Sequence, residues 1–206
     1  MAPFITFEGG EGSGKSTQAR LLLKKLEGQN VPAVLTHEPG GTPLGDKLRK
    51  VLKTKGEAQI SPRAELLLFA ASRAQLMDEL IRPALAEGKW VICDRFTHST
   101  IVYQGYGRGL DLSTVESINS MATQGIEPDL TILLDIPPEQ GLRRRQSLGD
   151  RFELEDLSFH RKVRDGYLQM ASAEPDRWLV LDAALPRAGI ARIIWDRVSR
   201  LLPASL

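Results

Sequence analysis

Short apolar runs alternate along the chain with longer stretches of helical periodicity. The runs at 3–7, 31–36, 90–93, 130–134 and 178–181 are rich in β-branched or aromatic residues and lie close to Gly, Pro or Asp. That pattern predicts buried strands. Between them, 15–27, 44–52, 62–87, 113–124, 138–147 and 187–202 carry the spacing of helices. Ser61 stands where a helix N-cap belongs, Pro62 at the first helical position, and Gly88 where a C-terminal glycine ends the run. Strands alternating with helices imply a parallel sheet covered on both faces. The expectation is a single doubly wound α/β domain over 1–206, a five-stranded parallel sheet with flanking helices, and a mobile lid at about 141–156.

Composition narrows the picture. In 206 residues, 42% are hydrophobic and 26% charged, which suits a soluble globular enzyme with a sizeable core. A net charge of +1 gives no bulk reason to bind nucleic acid, and the one local basic run, Arg143-Arg144-Arg145, is too short for a nucleic-acid arm. Cys93 is the sole cysteine, so neither an internal disulfide nor a cysteine-based metal site is expected. No apolar stretch approaches the roughly 20 residues that span a bilayer. The N-terminus lacks the charged and apolar regions of a signal peptide. A cytoplasmic setting without membrane attachment is therefore expected.

The densest chemistry lies at Gly9-Gly10-Glu11-Gly12-Ser13-Gly14-Lys15-Ser16, which fits G-x-x-x-x-G-K-[ST]. Its glycines let successive N–H groups turn toward a phosphate, and the next helix adds its positive end. The motif sits between a strand and a helix, the context it requires. Residues Gly9 to Thr17 are thus expected to hold ATP, with Lys15 on the β/γ-phosphates and the Ser16 hydroxyl on Mg²⁺.

A phosphate loop alone fits a GTPase, a motor or a kinase. No Asn-Lys-x-Asp base-reading motif is present. Asp94-Arg95 follows the strand at 90–93, placing both at the carboxyl edge of the sheet, where ligands of open α/β sheets bind. Asp94 can hold Lys15 or a Mg²⁺-bound water, and Arg95 can clamp a phosphate bidentately. Phe69 and Arg73 stand four residues apart on one helical face, which suits stacking on a base while hydrogen-bonding its carbonyl. A core Phe69 with an outward-snorkelling Arg73 explains the same spacing.

These residues resemble the thymidylate kinase family across essentially the whole chain. The resemblance rests on FEGGEGSGKSTQ from Phe7, EPGGTPLGDKLR from Glu38, ELLLFAASRAQ from Glu65, CDRFTHSTIVYQGYGRG from Cys93 and PDLTILLD from Pro128. It implies the P-loop nucleoside monophosphate kinase fold, ATP as donor, Mg²⁺, dTMP as acceptor and a homodimer. It implies that Arg95 and Arg49 bind the acceptor 5′-phosphate, that Phe69 stacks on thymine, and that Arg73 bonds O4. Pro39 would pack near the ring. Ser99 and Thr100 would contact the base, and Tyr103 and Gln104 would lie near base and sugar. Tyr103 would also crowd out a ribose 2′-hydroxyl. Glu11 matches the acidic loop residue that contacts the sugar 3′-hydroxyl or orients donor groups. Adenine contacts would come from backbone near Asp182 and Ala183.

Some family members carry a transition-state arginine in the phosphate loop, where this chain has Gly12. The charge is therefore expected from the lid, among Arg143, Arg144, Arg145 and Arg151. Successive helical side chains point about 100° apart, so the three-arginine run cannot aim every guanidinium at one phosphate. Arg145 and Arg151 are the favoured pair. With Lys15, Arg95 and Glu11 they complete the expected catalytic set. Asp94 would reach the metal through water. The acceptor phosphate is largely dianionic at neutral pH, its second pKa being about 6, so no general base is needed. Rival readings are a kinase for another monophosphate such as dUMP, and a nucleotide-dependent regulatory switch. His37, His98 and His160 share no metal-ligand spacing and read as structural or exposed.

Overall fold

The computed structural model describes residues 2–54, 60–144 and 150–202. The strands expected from the apolar runs form as β1 (Phe4–Glu8), β2 (Ala33–His37), β3 (Trp90–Asp94), β4 (Leu130–Asp135) and β5 (Trp178–Asp182). All pair in parallel, in the order β2-β3-β1-β4-β5, so the strand carrying the phosphate loop is central.

Along β1, side chains alternate between faces, as a pleated strand requires. Ile5 and Phe7 enter one apolar layer with Ile92, Ile132 and Leu134, covered by Leu22 and Leu26 of α1 (Lys15–Glu27) and by Ile190 and Ile194 of α9 (Arg187–Val198). Phe4 packs on the other face with Leu76, Met77, Val91 and Phe96. Glu8 shares that second face by its parity, which puts a fully buried carboxylate under the carboxyl edge of the sheet.

The remaining helices are α2 (Pro43–Lys53), α3 (Pro62–Leu76), α4 (Arg82–Ala86), α5 (Thr97–Thr100), α6 (Leu112–Thr123), α7 (Pro138–Arg143) and α8 (Leu157–Ala173). The Ser61 hydroxyl accepts from Ala64 N at 3.3 Å, and Gly88 adopts φ +76°, as the end signals predict. The helical run at 62–87 is present, but a π-helical turn at Met77–Ile81 joins α3 to α4.

Two helical stretches fall outside those expected. The first is α5 with its π-helical continuation Ile101–Gly107, which packs against α8. The second is α8, capped by Asp156, whose side chain accepts from Phe159 N at 2.8 Å. Phe159, Val163, Tyr167 and Ala171 form its buried stripe at fourfold spacing. Charged residues between them and Gly166 in mid-helix dilute that signal in the sequence, so the tertiary stripe decides the helix. Cys93 is buried in β3, as expected of a core residue.

Candidate active site

The donor side is built from consecutive residues. Between β1 and α1, Gly9, Gly12 and Gly14 adopt φ of +138°, +69° and +94°, turning the backbone into a cradle. Gly12 is fixed by more than conformation. A Cβ there would lie 2.0 Å from the carbonyl oxygen of Gly141, and a Cβ on Gly141 would lie 2.2 Å from that of Glu11. The base of the lid therefore rests backbone-on-backbone against the phosphate loop. That contact gives a steric reason why no arginine occupies position 12.

Lys15 folds back over the cradle, its Nζ donating to Gly9 O at 2.9 Å, Gly10 O at 2.8 Å and Ser13 Oγ at 3.2 Å. Burial, then the nearby Arg95 charge, push its pKa down to about 8 against the opposing pull of Glu11, Asp94 and Glu8. The Ser16 hydroxyl donates to Asp94 Oδ2. The two residues expected at the metal thus meet, although 78 positions separate them. Glu11, Gly12, Gly14 and Thr17 line the same cleft, while Gly9, Gly10 and Ser13 hold Lys15.

The acceptor side is assembled from distant segments. Parallel pairing sets Asp94 beside Phe7, and Arg95 N donates to Phe7 O at 2.9 Å. Arg95 has φ +73°, a left-handed backbone that a non-glycine side chain rarely adopts. Its Nη2 donates to Glu11 Oε1 at 2.7 Å and Tyr103 Oη at 3.2 Å, and its guanidinium lies 5.0 Å from the Tyr103 ring. Tyr103 Oη donates to the same Glu11 oxygen at 3.0 Å. Burial alone would push the Glu11 carboxyl up; Arg95 and Lys15 outweigh it and hold the pKa at about 2. An ionised Glu11 therefore shares the cleft with both cations.

Arg73 does not snorkel. It is 1% exposed, and Nε and Nη2 donate to Glu38 Oε2 at 2.8 and 2.6 Å. Nη2 also reaches Phe96 O at 3.1 Å and Thr100 Oγ1 at 2.9 Å, while Nη1 donates to Asn119 Oδ1 at 2.5 Å. Burial pushes the Glu38 carboxyl up and Arg73 pulls it back, leaving it at about 7. Gln104 Nε2 donates to Glu65 Oε1 at 2.7 Å, which fixes the amide and leaves its carbonyl for a donor. Arg49 Nη1 donates to Pro39 O at 2.7 Å. Phe69 is half-buried beside Phe152, ring centroids 5.8 Å apart. Pro39, Arg49, Phe69, Arg73, Asp94, Arg95, Ser99, Thr100, Tyr103 and Gln104 all border one cleft of about 650 Å³ with Lys15 and Ser16.

In the segment expected to form a lid, Arg144 and Arg151 go to different places. Arg144 Nη1 donates to Ala183 O at 2.9 Å, at the edge expected to hold adenine, and Arg144 borders the cleft. Arg145 lies outside the described residues. Arg151 points elsewhere: Nε donates to Leu52 O at 3.2 Å, and Nη2 pairs at 2.7 Å with Glu65, which is 0% exposed. Asp150 pairs with Lys53 at 2.7 Å. Asp150 and Arg151 are thus tied to α2 and α3. Sequence reasoning does not single out Glu38, Glu65, Asn119, Phe152 or Tyr167. Glu38 and Glu65 each open a motif-bearing segment, but only folding shows that they buttress the arginines. Among the described residues, no three His, Cys, Asp or Glu side chains cluster as a metal cage. His98 is packed 4.6 Å from Trp178, with burial pushing its pKa down to about 3.

Two cationic clusters on one sheet edge, one made of loop backbone and one of side chains, call for two phosphorylated ligands meeting end to end. With the central phosphate-loop strand and the parallel order of this sheet, that is the architecture of the P-loop nucleoside monophosphate kinases. Comparison with known proteins carries the assignment further. Residues 7–193 match the family model described as thymidylate kinase. A thymidylate kinase of Dehalococcoides mccartyi is 54% identical, with 98% of each chain covered. One of Trichlorobacter lovleyi is 51% identical, covering 96% of this chain and 98% of the relative. The crystal structure of the thymidylate kinase from Ehrlichia chaffeensis superposes with a TM-score of 0.76 at 36% identity, covering 96% of this chain and 98% of that one. The chain belongs to the thymidylate kinase family.

Proposed function

We propose that the chain transfers the γ-phosphoryl group of ATP to the 5′-phosphate of dTMP, giving dTDP for dTTP synthesis. The observation that carries this reading is that Arg95 and a base-reading group of Phe69, Arg73, Thr100 and Gln104 open into the same cleft as Lys15. A pyrimidine with an N3–H donor and an O4 acceptor fits what that group offers. The Gln104 carbonyl takes the N3 proton, an Nη1 proton of Arg73 takes O4, and Phe69 supplies the stacking face. Cytosine inverts both hydrogen-bonding positions and leaves buried groups unpaired.

Family membership supports ATP as the donor, and the loop of Gly9, Gly10, Glu11, Gly12, Ser13, Gly14, Lys15, Ser16 and Thr17 is its proposed seat. Ser16 and Asp94 offer hard oxygen donors at the phosphate edge, which suits Mg²⁺, an ion held by few protein ligands, waters and phosphates. Bound there, the ion would supply positive charge against the charge that develops on the phosphates. The chain's own contribution is positioning and screening. Lys15 and Arg95 draw two anionic groups together, Arg49 adds charge from α2, and Glu11 holds Arg95 until a phosphate arrives. Tyr103 stands against the sugar, Ser99 and Thr100 beside the base, and Pro39 packs near the ring. A lid arginine completes the set, with Arg145 its proposed source. Arg151 ties the returning lid to the acceptor helices.

A single catalytic domain with a lid at 141–156, working in the cytoplasm, belongs to this reading, as does a homodimer. Exposed Leu67 on α3 and Met121 on α6, at 55% and 72%, put apolar side chains on neighbouring helices, which supports a self-association face. Sedimentation showing only monomer at micromolar concentration would remove the dimer. For the activity, ADP release is measured with dTMP, dUMP, dCMP, dGMP and AMP. Strong preference for dTMP is expected, with dUMP about 10- to 200-fold poorer for its missing methyl. Turnover of dCMP equal to that of dTMP overturns the base assignment.

A further inference from the structure

Behind Arg95 lies a cluster that the phosphate-transfer chemistry does not use. Glu8, the last residue of β1, is 0% exposed on the face covered by α5 and α8. Its Oε1 accepts from Phe96 N at 2.8 Å; its Oε2 accepts from Ser99 Oγ at 2.6 Å and from Tyr167 Oη at 2.8 Å. Three donors converge on one carboxylate. The two hydroxyls also touch each other at 2.9 Å, and both receive Arg95 Nη1, at 3.2 Å from Ser99 and 3.4 Å from Tyr167.

A carboxylate only accepts, and that sets the direction of this network. Each hydroxyl has one proton, and Glu8 draws both. Their lone pairs are then left facing Arg95, and the guanidinium is the donor that satisfies them. Arg95 is thereby gripped along two edges. Nη1 is held from behind by hydroxyls anchored on Glu8, and Nη2 is held in front by Glu11 and Tyr103. Glu11 and Tyr103 border the cleft, so an incoming phosphate meets them directly, whereas Glu8 and Tyr167 do not border it.

We infer that Glu8 and Tyr167 are positioning residues that aim the Arg95 guanidinium at the acceptor phosphate. Through them α8, which comes after the lid in sequence, sets the phosphate clamp at the end of β3. A left-handed residue gains nothing from its own backbone preference, so its orientation depends on such outside contacts. The inference rests on Arg95 being the acceptor-phosphate clamp.

The experiment is calorimetric binding of dTMP and of thymidine, which lacks the phosphate, to the full chain and to Tyr167→Phe. The ring and its packing are kept, and one hydroxyl is lost. The expected result is about tenfold weaker dTMP binding, as for loss of a hydrogen bond to a charged group, with thymidine and ATP affinities unchanged. Equal weakening of dTMP and thymidine, or no change in either, overturns the inference. Arg95→Met separates this from failure of the underlying reading. If dTMP keeps its advantage over thymidine in Arg95→Met, Arg95 is not the clamp. If the advantage vanishes there but is undiminished in Tyr167→Phe, the clamp stands and the positioning role falls. Should Tyr167→Phe not fold, Glu8→Gln carries the same readout, since it keeps the shape but withdraws the carboxylate that anchors both hydroxyls on Nη1.

Discussion

The two ends of the cleft are built in opposite ways. The donor end is a run of adjacent residues, Gly9 to Thr17, whose working groups are mostly backbone amides and one lysine. The end proposed for the acceptor takes Glu11 from the loop after β1, Arg49 from α2, Arg73 from α3, Arg95 from the edge of β3, and Tyr103 and Gln104 from the π-helical stretch. Three of these side chains are held by partners far away in sequence: Arg73 by Glu38, Gln104 by Glu65, Arg95 by Glu8 through two hydroxyls. A triphosphate is bound the same way by many proteins, so a local motif suffices. One base and one sugar must be distinguished from close relatives, which takes fixed side-chain directions, and fixed directions take buried partners.

The contrast can be broken first at its catalytic extreme. Lys15→Ala should lower kcat on the order of 10³-fold, the scale of a lost transition-state donor, while dTMP affinity measured by calorimetry stays the same. Loss of dTMP binding in this variant would mean that the two ends are not separable.

On the acceptor side the largest effect should be on stability. Arg73→Met leaves Glu38 buried without its cation and should cost about 3–5 kcal/mol in urea unfolding. Replacing both partners with apolar residues should recover most of that loss. A single-variant cost below about 1 kcal/mol would show that the pair does not hold the acceptor side together.

The contact between loop and lid base offers a smaller test. Gly141→Ala drives a Cβ to 2.2 Å from Glu11 O, so α7 must shift. The expected cost is about 2 kcal/mol, seen as a Tm lower by roughly 6 °C with a raised KM for ATP. An unchanged Tm and KM would mean that loop and helix are not in contact.

Protonation probes the donor end alone. Lys15 in the free protein has its pKa pushed down to about 8, so it carries its charge below that pH and loses it above. Because kcat/KM reports the free enzyme, its value for ATP should be flat up to about pH 8 and fall about tenfold per unit beyond. A profile flat to pH 9.5 contradicts a depressed lysine. The smallest effect is expected of Arg151→Gln. If that residue ties the lid to α3, Gln104 and Arg108 still hold Glu65 without it, and kcat should change less than about threefold. A hundredfold drop would make Arg151 the transition-state charge.

Much of this architecture is legible in the chain. The strands are readable because buried parallel strands appear as short unbroken apolar runs. The phosphate loop is readable because its function depends on consecutive residues, and the placing of Asp94-Arg95 because a strand end is a place the sequence can mark. Helix α8 is not legible: its stripe of Phe159, Val163, Tyr167 and Ala171 is interrupted by charges and Gly166, and its stability comes from packing on the stretch at 101–107. The orientation of the arginines is not legible either. The same spacing of Phe69 and Arg73 fits a snorkelling side chain or a buried one, and only the arrival of Glu38 from another segment decides between them.

By itself, then, the sequence determined the sheet, the cradle and the family, since each is written in local order or short-range periodicity. The tertiary structure alone decided that Arg73 is buried, that Arg151 turns to Glu65, and that Glu8 and Tyr167 stand behind Arg95. Those outcomes depend on which buried carboxylate reaches which guanidinium, a competition between residues dozens of positions apart that no local pattern records.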